Sequence, residues 1–241
     1  MEIIIAQNKE DFDRIAAAII SQQIKDKPDS VLGLATGSTP LGLYAQLVER
    51  NKKGEVDFSQ VKSFNLDEYK GLAKDHPQSY YYFMYENLFG KVNINESNIN
   101  LPNGEAEDPA KECVEYEKKI KEAGGIDLQV LGIGHNGHIG FNEPGTPFES
   151  TTSLIDLDEL TIEANSRFFE SADQVPRQAL SMGIKTIMQA RKIILMITGK
   201  DKAEIAAKAI NGSITPEVPA SVLQLHPFVT VLLDQEAASL L

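Results

Sequence analysis

The chain has 241 residues, with 23 basic and 35 acidic side chains, a formal net charge of −12 and a pI near 4.8. At ~150 residues per domain this is one large domain or two small ones, enough to bury a core without a disulfide or metal staple. The acidity excludes a general nucleic-acid binder, no apolar run reaches the ~18 residues of a membrane span, the start Met1-Glu2-Ile3-Ile4-Ile5 has no signal-peptide pattern, and the single Cys113 excludes an internal disulfide, so a cytoplasmic protein is expected.

Strand and helix patterns alternate along the chain. A β-branched run from Glu2 to Ala6 reads as a strand. Behind Asn8, a good N-cap followed by acids, Phe12, Ile15, Ala16 and Ile19 recur at helical spacing. A second strand, Ser30 to Ala35, leads into a helix marked by Leu41, Tyr44, Leu47 and Val48, with Pro40 suited to its first position. Then come a strand from Val61 to Leu66, a helix from Asp108 to Ala123 and a strand from Asp127 to Ile133. The stretch from Glu143 to Asp173 is polar and weakly periodic, and holds Pro144, Gly145 and Pro147. It reads either as a lid of about residues 144–175 or as a surface excursion packed by Leu154, Leu157 and Leu160. Helical patterns over Gln174 to Ala190 and Lys200 to Ala209 flank a strand from Lys192 to Ile197, and Phe228 to Leu233 is the last strand. Most of these strands are nearly continuously apolar, as strands covered on both faces are. The pattern predicts one α/β domain over residues 1–241: a mostly parallel, doubly wound (Rossmann-like) sheet flanked by helices, with a lid segment.

Open α/β sheets bind ligands beyond the carboxyl ends of their strands, so the residues after each strand are the candidates. After the second strand, Thr36-Gly37-Ser38-Thr39-Pro40 leads into a helix. Such a turn aims free N–H groups and a positive helix end at one point, which suits a phosphate, though it also fits a plain tight turn. After the third strand, Asp67 and Glu68 point to opposite faces if the strand reaches them, and one carboxylate there is a candidate general base or a turn acid. After the fourth comes Gly132-Ile133-Gly134-His135-Asn136-Gly137-His138-Ile139-Gly140-Phe141-Asn142-Glu143. A histidine with a carboxylate five residues on can form an oriented acid–base pair. His135-x-x-His138 also permits a metal, but no cysteine accompanies it and a third ligand is not evident, so no metal is assigned. Arg167 in the lid segment and Lys202 past the fifth strand are cations able to meet a phosphate. Cys113 and His226 read as packed residues.

Together these motifs give the chain a resemblance to the glucosamine-6-phosphate deaminase (isomerase) family over essentially its whole length. It rests on Gly33-Leu34-Ala35-Thr36-Gly37-Ser38-Thr39-Pro40, Phe64-Asn65-Leu66-Asp67-Glu68-Tyr69, the glycine-rich run through Glu143-Pro144, Asn165-Ser166-Arg167-Phe168-Phe169 and Leu223-Gln224-Leu225-His226-Pro227. The resemblance implies conversion of glucosamine 6-phosphate and water to fructose 6-phosphate and ammonia, in amino-sugar catabolism, without a cofactor. It implies that Asp67 moves a proton between C2 and C1, that His138 opens the sugar ring, and that Asn136 and Glu143 support it. It assigns Thr36, Gly37, Ser38, Thr39, Arg167 and Lys202 to the substrate phosphate. Some family members carry Asp at the position of Asn136. The allosteric members carry basic residues where this chain has Thr152-Ser153-Leu154-Ile155, so hyperbolic kinetics and a monomer or small homo-oligomer are expected. Two rivals are a 6-phosphogluconolactonase, which shares the first motif, and a non-catalytic sugar-phosphate sensor, which usually carries a DNA-binding module.

Overall fold

The apolar runs fold as strands and the amphipathic runs as helices in the computed structural model, which describes residues 1–166, 169, 171 and 174–241. The order is β1 (Glu2–Ile5), α1 (Lys9–Asp26), β2 (Val31–Leu34), α2 (Leu41–Lys52), β3 (Lys62–Asn65), β4 (Asp67–Tyr69), α3 (Tyr80–Asn87), β5 (Ile99–Asn100) and α4 (Pro109–Glu122). It continues with β6 (Leu128–Leu131), β7 (Ser153–Asp156), α5 (Glu159–Ser166), β8 (Gln178–Ser181), α6 (Ile184–Met188), β9 (Lys192–Ile197), α7 (Ala203–Asn211) and β10 (Val229–Leu233).

The predicted strands appear in place and pair in parallel, in the order β1-β10-β9-β6-β2-β3-β5. The α1 cap is as predicted, with the Asn8 side chain accepting from Asp11 N–H, and Asp108 caps α4 in the same way. From β2 the chain moves to β3 on one side, and from β6 to β9 on the other. The boundary between β2 and β6 is therefore the switch point at which this architecture places ligands. Continuous burial explains the apolar run of β9, where Ile193 to Ile197 are each at most 1% exposed, whereas the edge strand β1 is apolar yet leaves Ile3 and Ile5 exposed.

A second sheet was not predicted. β4, β8 and β7 form a three-stranded antiparallel sheet, with Asp67 opposite Ser181 and Ser153 opposite Ser181 on the other side. It overturns the single helix predicted over Gln174 to Ala190: that stretch splits into β8 and the short α6. Ala179, Leu180, Met182, Ile184 and Ile187 satisfy either period, and pairing of β8 on both edges decides for a strand. Lys200 to Ala209 likewise begins as a tight 3-10 turn, Lys200–Lys202, before α7. The segment at 144–175 is not wholly irregular, since it contains β7 and α5. Over the small sheet lies a second apolar cluster, of Tyr69, Phe141, Leu157, Ile162, Val175 and Ala179. Cys113 is buried on α4. Among the described residues no helix is long and apolar enough to cross a membrane.

Candidate active site

The site assembles from turns at the carboxyl ends of β2, β6 and β9 and from the start of β4. At β2 the turn 36–39 leads into α2 through Pro40, whose φ of −83° and ψ of 0° already suit a helix. Pro40 is therefore the cap position rather than the first helical residue. No side chain caps α2, so its first-turn N–H groups keep their positive end for another acceptor. Gly37 takes φ +95°, open to glycine, and Ser38 is exposed. At β9 the Lys202 ammonium donates to the Ile133 carbonyl at 3.0 Å, which brings this cation to the glycine-rich run after β6. Arg167 lies outside the described residues.

The glycine-rich run folds back on itself. Gly134 N–H donates to His138 O at 2.9 Å and Gly137 N–H to Gly134 O at 3.1 Å. A Cβ at Gly134 would lie 2.2 Å from the His138 ring, so glycine makes room for the imidazole. Asn136 is held between backbone and carboxylate: its Oδ1 accepts His138 N–H at 3.2 Å, and its amide donates to Glu143 Oε2 at 2.6 Å. His138 Nδ1 faces the same Oε2 at 3.3 Å, an ion-pair contact without an aligned hydrogen bond. Thr161 Oγ1 donates to Glu143 Oε1 at 2.6 Å. Burial pushes the Glu143 carboxyl up, but His138, Thr161 and Asn136 together outweigh it and hold it below the usual carboxylate range. With Nδ1 turned to Glu143, Nε2 on the far side of the ring is left for a substrate.

Asp67 stands where the chain leaves the large sheet for the small one. Leu66 N–H donates to Leu34 O at 3.0 Å, and Met182 N–H donates to Leu66 O at 2.7 Å. Burial, with the Glu68 charge beside it, pushes the Asp67 carboxyl up to about 8. The strand does reach both acids, as their expected opposition requires. Glu68 accepts the backbone N–H groups of Tyr69, Tyr80 and Tyr81, each at 2.9 Å, and so fastens β4 to the first turn of α3. Burial still pushes Glu68 up to about 7 against these three donors.

β8 joins the two halves. Ser181, paired with Asp67, accepts Phe141 N–H on its hydroxyl at 3.0 Å, and the Asn142 amide donates to Met182 O at 2.9 Å. The run bearing His138 and Glu143 is thereby pinned to the strand beside Asp67. Tyr69, Tyr80, Phe141 and Phe169 form an aromatic cluster alongside, with centroids 4.7–6.2 Å apart. Thr161 and Ser181 were missed in the sequence, because nothing local marks a hydroxyl that meets a partner 18 or 40 residues away. His135 pairs with Asp201 at 2.7 Å on the surface. His226 is structural: its Nε2 meets the Ala190 carbonyl at 2.8 Å. Among the described residues no group of three or more His, Cys, Asp or Glu side chains could hold a metal ion.

A family model described as glucosamine-6-phosphate isomerases/6-phosphogluconolactonase matches residues 7–231. A glucosamine-6-phosphate deaminase of Thermoanaerobacter pseudethanolicus is 57% identical over all 241 residues and 95% of its own length. One of Clostridium botulinum is 58% identical over 99% of this chain and 98% of its own. The solved structure of a monomeric glucosamine-6-phosphate deaminase superposes with a TM-score of 0.98 at 48% identity, covering both chains fully. A 6-phosphogluconolactonase from Trypanosoma brucei shares the fold at 19% identity, with a TM-score of 0.79 over 99% of this chain and 97% of its own.

Proposed function

The chain belongs to the glucosamine-6-phosphate isomerase/6-phosphogluconolactonase family, and we propose that it is a glucosamine-6-phosphate deaminase, turning glucosamine 6-phosphate and water into fructose 6-phosphate and ammonia. The observation that carries this reading is a buried carboxyl, Asp67, and an oriented imidazole, His138, on two segments that are both pinned to β8 at Ser181. Lactone hydrolysis needs an activated water but no base for a carbon-bound proton. The solved lactonase structures from Trypanosoma brucei and Thermotoga maritima lie at 19% and 21% identity, against 48% for the solved deaminase and 56–58% for the curated deaminases.

The substrate phosphate meets the turn Thr36–Thr39, the start of α2, Lys202 and, as the resemblance implies, Arg167. The chain's net charge of −12 does not oppose this, since only the local sign of the site acts at contact distance. His138 Nε2 takes the proton of the C1 hydroxyl and returns it to the ring oxygen, opening the ring. Glu143 stabilises the imidazolium in between. The C1 aldehyde acidifies the C2 proton, which Asp67 removes to give an enolamine. Asp67 delivers that proton to C1, and the C2 imine is hydrolysed to the ketone, releasing ammonia. The carbonyl is the electron sink, so the sequence of steps needs no cofactor. The positive amino group at C2 favours the charged form of Asp67 and offsets the burial that raises its pKa.

Asn136 holds His138 through backbone and Glu143 rather than by touching the ring. As an amide it brings hydrogen bonds to this pair but no charge. Kinetics are expected to be hyperbolic without activation by N-acetylglucosamine 6-phosphate, and the chain to act as a monomer or small homo-oligomer in the cytoplasm. The deciding experiment measures ammonia from glucosamine 6-phosphate beside hydrolysis of 6-phosphogluconolactone. Ammonia release alone supports the reading, lactone hydrolysis alone supports the rival enzyme, and inertness toward both supports a sensor.

A further inference from the structure

We propose that Thr161 is a positioning residue for this reaction: its hydroxyl fixes the Glu143 carboxylate against the His138 ring. The inference rests on the His138–Glu143 reading above and adds a residue to it. The carboxylate is gripped at both oxygens. Oε2 accepts the Asn136 amide at 2.6 Å and faces His138 Nδ1 at 3.3 Å, while Oε1 accepts Thr161 Oγ1 at 2.6 Å. Held through Oε2 alone, the carboxylate could turn about its last single bond. Held at both ends, its plane is set and Oε2 stays on the imidazole.

The hydroxyl is committed to this task. A threonine in a helix commonly turns its hydroxyl back on a carbonyl of the preceding turn. Thr161, in the first turn of α5, instead donates to a carboxylate 18 residues away. It is only 6% exposed, so water competes weakly for that bond, and a hydrogen bond to a charged acceptor is among the stronger kinds. The bond also ties α5, within the 144–175 segment, to the turn carrying His138, a link made by no backbone pairing between α5 and that run among the described residues. Among the described residues, His138 is the titratable group that faces Glu143, while Asn136 and Thr161 are neutral donors. Both donors favour the ionised carboxylate, and that charge favours the imidazolium formed when His138 takes the C1 proton.

The test compares Thr161→Val, which keeps the shape and loses the hydroxyl, with Thr161→Ser, which keeps the hydroxyl. Thr161→Val is expected to lower kcat by roughly tenfold, the worth of one charge-assisted hydrogen bond, with KM within about twofold. Its loss of a donor raises the Glu143 pKa, so the lower acid break of the kcat profile, the one on the acid side of the Asp67 break, moves to higher pH. Thr161→Ser restores both. On a Glu143→Gln background, Thr161→Val adds no further loss. If Thr161→Val does not fold, Thr161→Ala carries the same comparison. An unmoved pH profile, a Ser variant as poor as Val, or an undiminished extra loss on the Glu143→Gln background overturns the role of Thr161 while leaving His138–Glu143 intact. Glu143→Gln with the parent kcat overturns that pair, and the role of Thr161 with it.

Discussion

The two sheets contribute to the site in different ways. The seven-stranded sheet presents turns: its central strands β2, β6 and β9 are buried almost completely, and what they offer a ligand is the backbone and short side chains beyond their carboxyl ends. The three-stranded sheet presents a strand residue, Asp67, at its own edge, beneath a small aromatic cluster, and β7 on its far side is largely exposed. A large dry core suits a fixed anchor for a phosphate and an imidazole. A small sheet beside it, covered by its own apolar cluster, desolvates one carboxyl.

The sharpest break in that comparison is Asp67→Asn. It is expected to cost roughly a thousandfold in kcat, as loss of a general base does, while stabilising the fold at alkaline pH. The sign follows from the raised pKa. Burial pushes the Asp67 carboxyl up to about 8 from its ordinary 3.8, so the stability it allows is complete below 3.8 and lost as pH rises through 8. Asparagine has no such loss, so melting temperatures of the two proteins should diverge from pH 5 to pH 9 in favour of the variant. A variant that gains nothing at pH 9 removes the claim that this sheet desolvates the acid.

Gly134→Ala probes the other half. A methyl 2.2 Å from the His138 ring must displace it, with an expected loss of about a hundredfold in kcat, as misplacement of a catalytic group costs. Activity close to that of the parent would show that the imidazole needs no fixed place.

Stability separates the sheets next. Ile194→Ala, in the middle of β9 and fully buried, is expected to cost ~2–5 kcal/mol in urea unfolding with kcat of the folded protein nearly unchanged. Phe169→Ala, at the rim of the aromatic cluster, is expected to cost less than ~1.5 kcal/mol and to raise KM. Equal costs would erase the distinction between a structural core and a covering cluster. The pH dependence tests the desolvated acid without a substitution: kcat/KM of the free enzyme should fall by up to tenfold per unit below about 8 as Asp67 takes up its proton. A flat profile between pH 6 and 8 would place the base elsewhere.

How much could be read in advance follows the same division. The large sheet's central strands were visible because burial on both faces leaves an unbroken apolar run, as in Ile193 to Ile197, which needs no knowledge of its neighbours. The small sheet was not visible. β4 has three residues, and β8 carries apolar residues that a helix would use equally well. Only pairing on both sides, with β4 and β7, decides its form.

The residues nearest in sequence were therefore settled by the sequence itself. Asn136, His138 and Glu143 lie within eight positions, and a turn of glycines leaves them little choice but to meet. The sequence also settled that Asp67 and Glu68 divide, since neighbours on a strand point apart. What the tertiary structure alone decided is every contact that spans the chain: Asp67 opposite Ser181, Phe141 on the Ser181 hydroxyl, Lys202 on the Ile133 carbonyl and Thr161 on Glu143. A side chain's local pattern records whether it is buried. The partner it meets depends on where two distant segments pack, and packing is a property of the whole chain.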